Sequence, residues 1–168
     1  LEMAARAVDD GHDLIGCDAS EEACDRASKR GIKAVVSMQQ QVKRLEKPCI
    51  VWLQTPPGAI TNTIIRELSE LLKEGDMVID GGNSDFRDTK KTAEYLRKKN
   101  IHFMDIGVSG GVAGAKNGCG MLIGGTKENY ERMLPFLDSL AAPGGYAHCG
   151  GTAAGHYAKT IHNGVEYA

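Results

Sequence analysis

The run Cys49-Ile50-Val51-Trp52-Leu53 is apolar at every position, without the alternation of a strand that keeps one face in water. A strand of that kind has to be covered on both sides, so helices must flank its sheet. The rest of the chain supplies them. Leu1, Ala4, Ala5 and Val8 share one face of an opening amphipathic helix, and Gly11 ends it. Leu14 to Cys17 then reads as a short strand, Glu21 to Arg30 as a helix and Ala34 to Val36 as extended. After the apolar run come a helical Ile60 to Leu72, an extended Met77-Val78-Ile79, a helical Thr89 to Lys98 and an extended Phe103 to Val108. This alternation predicts an α/β fold with a doubly wound, parallel sheet. Cys119 to Ile123 reads as a further strand, followed by a helical pattern from Lys127 to Leu140 that Pro135 should kink or split. Pro143-Gly144-Gly145 and Gly150-Gly151 punctuate the chain before a last helix, Ala153 to Ala168.

Composition narrows the function classes. A chain of 168 residues that is 42% hydrophobic and 25% charged suits one globular unit with a buried core. The net charge of −2 argues against a nucleic-acid partner, which needs a basic excess. No apolar stretch approaches the ~20 residues of a membrane helix, and nothing at the start reads as a signal peptide. Cys17, Cys24, Cys49, Cys119 and Cys149 have no paired spacing, as expected of free thiols in a reducing cytosol. No metal-ligand spacing stands out either, so no metal is expected.

Ligands of open α/β sheets bind beyond the carboxyl ends of the strands. Three predicted strands end there in unusual sequences: Gln54-Thr55-Pro56-Pro57-Gly58, Asp80-Gly81-Gly82-Asn83-Ser84 and Ser109-Gly110-Gly111. Any one alone would pass as a tight turn. Three on one rim point to a ligand, with glycines admitting an anion and Asn83 and Ser109 offering hydrogen bonds to a polyhydroxy compound. Asp18 closes a further strand, where dinucleotide-binding folds place an acid on the adenosine ribose. It is followed by Ala19 and Ser20 rather than an arginine, which favours NAD over NADP. Local sequence leaves open the plainer alternative, in which Asp18 or Ser20 is a solvent-facing helix cap.

The last helix is the most informative segment. At 100° per residue, Lys159, His162, Asn163, Glu166 and Tyr167 share one face, and Ala158, Ile161 and Val165 the other. A solvated polar face is the usual reason for such a stripe. This one mixes a potential base, a potential acid, an amide and an imidazole, and a Gly-rich entry precedes it. Lys159 and Glu166 are two turns apart, about 10 Å along the axis, enough to flank a small substrate.

The segment AGHYAKTIHNGVEY resembles a helix of 6-phosphogluconate dehydrogenases, and IDGGNS and GVSGGVAGAKNGCGMLIGG resemble two other blocks of that family, in its order and approximate spacing. The resemblance spans essentially the whole chain and implies a Rossmann-like fold. It implies that Lys159 is the base for the hydroxyl being oxidised and Glu166 the acid that protonates an enediol after decarboxylation, giving ribulose 5-phosphate. Ser109, Gly110, Gly111, His162, Asn163 and Tyr167 would hold 6-phosphogluconate. Asn83 would touch substrate and cofactor, and Thr55, Pro56 and Pro57 would line the cofactor. A lysine base must be neutral and a glutamic acid must keep its proton, so the roles need opposed environments on one helix.

The family's opening strand and G-x-G-x-x-G turn have no counterpart here, nor does the helical domain that follows its catalytic helix. Both ends read as cut. The expectation is therefore a dinucleotide-binding unit over residues 1–150, with residues 151–168 leading into an absent helical domain, inactive by itself. The intact protein would be a cytoplasmic homodimer or higher homo-oligomer. The nearest rival is another β-hydroxyacid dehydrogenase, such as one acting on 3-hydroxyisobutyrate. A rival of another class is a non-catalytic nucleotide-binding module.

Overall fold

A computed structural model of the chain describes residues 1–166 and 168; Tyr167, expected above to touch the substrate, lies outside the described residues. The strands form two sheets. β1 (Ile15–Cys17) and β2 (Lys33–Val35) make a parallel pair. The larger sheet runs in sequence order through β3 (Ile50–Leu53), β4 (Met77–Asp80), β5 (His102–Ser109), β6 (Cys119–Gly124) and β7 (Ala141–Gly150). Eight helices, among the described residues, connect and cover these strands.

The sheet is mostly rather than wholly parallel, because β6 runs antiparallel to β5. A parallel return needs a crossover of about a dozen residues or more. Only the short helix α6 (Gly111–Asn117) and its flanking glycines join β5 to β6, so the chain reverses instead. β7 corrects a second expectation. What read as Gly-Pro punctuation is a ten-residue strand. It lies at the sheet edge, where the N–H that Pro143 lacks is not needed by a second neighbour.

Helix boundaries follow local caps. Ser20 Oγ accepts from Ala23 N to open α2 (Glu21–Ser28), and Ser37 does the same through Gln40 N for α3 (Met38–Arg44), a helix not foreseen above. Asp85 caps α5 (Phe86–Arg97) through Arg87 N, starting it a turn before the expected Thr89. The helix α7 (Lys127–Leu140) is not split at Pro135. Pro135 is exposed, so water can reach the backbone around the hydrogen bond it cannot make.

Alternate residues of the strands feed two cores. On one face Met77, Ile79, Met104, Ile106 and Ile123 pack with Met133, Leu137 and Leu140 of α7. On the other, Val51, Leu53, Val78 and Phe103 pack with Ile65 and Leu68 of α4 (Ala59–Leu71) and Leu96 of α5. The run from Cys49 to Leu53 is thus covered on both sides, and each fully buried leucine contributes about 1.5–3 kcal/mol. α8 (Ala154–Glu166) lies across β5 and β6. A Cβ on Gly155 would sit 2.5 Å from Leu122 O and 2.6 Å from Asp105 O, so only glycine allows the helix this close.

Candidate active site

In-register pairing of β3, β4 and β5 brings their carboxyl ends to one rim. The loop after β4 is organised by Asp80, which is 2% exposed. Its Oδ1 accepts from Gly82 N at 3.0 Å and its Oδ2 from Ser84 Oγ at 2.7 Å, bracketing Asn83. Two hollows meet at Asn83. One, of about 320 Å³, is lined by Pro57, Gly58, Asn62 and Asp80 among others. The other, of about 290 Å³, lies between Ser84 and Asp85 on one side and His156, Lys159, Thr160 and Asn163 of α8 on the other. Asp85 borders both, and its bonds from the Arg87 side chain and backbone hold its carboxyl down at a pKa of about 2.

The polar stripe of α8 divides. Lys159 is 7% exposed, which rules out the solvated-face explanation for it. Its stem lies against Gly107 of β5, where an added Cβ would stand 2.4 Å from Lys159 Cβ. Asn163 is half-buried. The side chains of His162 and Glu166, however, are 44% and 48% exposed, with His162 Nδ1 3.4 Å from Glu166 Oε2. Ile161 and Val165, from the apolar side of the wheel, are exposed as well.

Asn83, Lys159 and Asn163 therefore come together around one hollow. Ser109, Gly110 and Gly111 form the turn from β5 into α6, with Gly110 in a left-handed conformation. They stand outside the lining of both hollows, as do His162 and Glu166. On the cofactor side, Thr55 Oγ1 lies 2.7 Å from Thr61 Oγ1, which donates to Pro56 O at 2.7 Å and ties the Thr55–Pro57 loop to α4. That helix opens at Gly58 with no side-chain cap. Asp18 follows β1 and is exposed; Oδ1 accepts from Ser20 N at 2.9 Å, while Ser20 itself caps α2. An uncapped helix N-terminus suits an anion and an exposed carboxylate suits sugar hydroxyls, so this donor set fits a dinucleotide. Among the described residues no cluster of His, Cys, Asp or Glu could hold a metal ion, and no helix is long and apolar enough to cross a membrane.

Sequence reasoning passed over Asp80, Asp105 and His156, all buried. The signal for the two acids was a carboxylate at the end of, or inside, an apolar run. His156 Nδ1 lies 2.8 Å from Thr89 Oγ1, whose hydroxyl is also placed to donate to Asp85 O. Burial raises the Asp105 carboxyl above its ordinary value, with bonds from the His156 and Ala153 amides opposing and nearby Asp80 adding to the rise.

This fold, with a dinucleotide-fitting rim beside a buried lysine, is that of a dinucleotide-binding domain. The model of the NAD binding domain of 6-phosphogluconate dehydrogenase matches residues 1–155, and the chain belongs to that family. It is 37% identical over 164 residues to the NAD(+)-dependent, decarboxylating 6-phosphogluconate dehydrogenase of Haloferax volcanii, covering 97% of this chain and 54% of that protein. Plasmodium falciparum 6-phosphogluconate dehydrogenase, solved in apo form, with NADP+ and with 6-phosphogluconate, superposes with a TM-score of 0.90 at 26% identity, over 99% of this chain and 38% of that one. A 3-hydroxyisobutyrate dehydrogenase of Mycobacterium tuberculosis gives 0.89 at 25%, over 98% and 55%. The chain spans about half the length of the first curated relatives it matches.

Proposed function

We propose that the intact protein oxidises and decarboxylates 6-phosphogluconate to ribulose 5-phosphate and carbon dioxide, with NAD as the preferred cofactor. The observation that carries this reading is the burial of Lys159 in the same hollow as Asn83 and Asn163, with Asn83 bordering the neighbouring hollow as well. Asp18, Thr55, Pro56, Pro57 and Asn83 would hold the dinucleotide, which when bound supplies the hydride acceptor. Lys159 Nζ takes the proton of the substrate's 3-hydroxyl as that carbon becomes a carbonyl. The bond to the carboxylate then breaks with release of carbon dioxide, its electron pair forms a carbon–carbon double bond, and Lys159 returns its proton to the former carbonyl oxygen to give the enediol. Glu166 delivers a proton to the first carbon of the enediol and completes ribulose 5-phosphate. Asn83, Ser109, Gly110, Gly111, His162, Asn163 and Tyr167 orient the substrate.

Residues 1–150 would form the dinucleotide unit and 151–168 the lead into a helical domain, in a cytoplasmic homodimer or higher homo-oligomer. A second reading, as a 3-hydroxyisobutyrate dehydrogenase, draws on the equally close fold of the mycobacterial enzyme. The run His162-Asn163-Gly164-Val165-Glu166-Tyr167 favours the first. Assaying the intact protein on both substrates separates them: turnover of 3-hydroxyisobutyrate alone would overturn our reading. The cofactor preference rests on Asp18, whose carboxylate repels a 2′-phosphate. Steady-state kinetics should give the higher kcat/KM with NAD, and the reverse order would refute the preference.

A further inference from the structure

We propose that Asp105 is a positioning residue for Lys159, its carboxylate setting the depth and rotation of α8 on the sheet. Asp105 is 0% exposed at the centre of β5. Its Oδ1 accepts from Ala153 N at 2.6 Å and its Oδ2 from His156 N at 2.8 Å, so one carboxylate clamps two amides at the start of the helix. Ala153 takes a left-handed backbone, φ 70°, at this clamp. Asp105 is also the register partner of Asp80 across β4 and β5. One buried acid therefore fixes the loop of Asn83, and its neighbour fixes the helix of Lys159 and Asn163. Opposite walls of the hollow are referenced to adjacent points of one strand pair.

The seating has little slack. A Cβ on Gly124 would lie 2.5 Å from Asp105 Oδ1, and Gly107 and Gly155 admit the helix with no room for a methyl group. A buried carboxylate is a poor device for stability alone, because desolvation offsets what its bonds contribute. It is well suited to fixing geometry, since displaced amides would leave it buried without partners.

The inference rests on Lys159 being the base, and the test separates the two. In the intact protein, Asp105→Asn keeps the volume but sets an N–H₂ against a helix amide. Turnover should fall at least about tenfold while the KM for dinucleotide changes less than about twofold, as for a misaimed base with an intact cofactor loop. Acylation of Lys159, followed by peptide mass spectrometry against the exposed Lys127, should speed up. Gly107→Ala, which leaves the clamp intact but displaces the Lys159 stem, should reproduce the loss of kcat. Asp105→Ser replaces the Asn variant should the latter not fold. Leu137→Ala, in the core on the other face of the sheet from α8, should lower the melting temperature and leave kcat near wild type. Wild-type kcat and Lys159 labelling in a folded Asp105 variant would overturn the proposal, as would an equal loss of kcat in Leu137→Ala. Absence of turnover in the wild type would instead sink the functional reading, and the labelling would then decide on Asp105 alone.

Discussion

Along α8, Lys159 is enclosed while the Glu166 side chain is 48% exposed, so the proposed base and acid work in different surroundings. Lys159→Met should slow hydride transfer in the intact protein by ~10²–10⁴-fold, because nothing remains to take the hydroxyl proton. Glu166→Gln preserves size and should slow protonation of the enediol more than oxidation. Tritium uptake from solvent into the first carbon of the product, followed beside single-turnover cofactor reduction, tells the steps apart; wild-type rates for both in Glu166→Gln would remove the acid assignment. Asp76 makes a stability prediction that needs no substrate. Burial alone would raise its carboxyl, but bonds from Lys47 Nζ and the Lys73 and Cys49 amides, each 2.8 Å, outweigh burial and lower it. A lowered folded value means that the carboxylate stabilises the fold above its unfolded pKa of ~4, and that this is lost as pH falls through the folded pKa. Asp76→Asn should therefore cost ~1–3 kcal/mol by urea denaturation at neutral pH, with the gap to wild type narrowing in acid. A gap independent of pH would contradict the assignment.

Elements with a period of their own were legible in the sequence, and those defined by partners were not. The apolar run around Val51 and the pattern from Ile60 to Leu72 announce β3 and α4 because burial on two faces, or on one stripe, leaves a mark on side-chain type. β7 carries Pro143, Gly144 and Gly145 and owes its existence to β6, which no local pattern records. The site divides in the same way. Asn83, Lys159 and Asn163 stood out as chemically apt side chains at strand ends or on a helix. Asp105 and His156 did not, because polarity reads as exposure until the amides or hydroxyl that satisfy them are known. Pro135 shows the limit of a rule applied without burial, since α7 continues through it on a solvent face. Pro135→Ala should restore the missing backbone bond and stabilise the chain by about 1–2 kcal/mol, less than the ~3 kcal/mol interior cost because alanine also loosens the unfolded state. A lower melting temperature in this variant would show that the proline relieves strain elsewhere in α7.

At the scale of the molecule, the described residues build one wall of the proposed site, and the outer face of α8 is exposed among them. Tyr157, Ile161 and Val165 recur every fourth residue on α8 and are 51%, 52% and 77% exposed, an apolar stripe that only Phe86, edge-on to Tyr157 at 5.1 Å, partly covers among the described residues. His162 and Glu166, beside that stripe, are in solvent too. Protonation of an enediol at a defined carbon needs the acid held over it and competing water excluded. This wall can aim Lys159, because Asp105, Gly107 and Gly155 fix its helix, whereas the Glu166 side chain stands 48% exposed among the described residues. We therefore expect a polypeptide of these 168 residues to fold, to bind dinucleotide weakly, and to form ribulose 5-phosphate at least about 10³-fold more slowly than the intact protein. Circular dichroism establishes that the polypeptide is folded, and a coupled assay for ribulose 5-phosphate under saturating NAD reads the rate. Turnover near that of the intact protein would mean that the exposed arrangement of His162 and Glu166 suffices. Loss of turnover with the fold preserved would show that this exposed arrangement of His162 and Glu166 does not suffice for the chemistry.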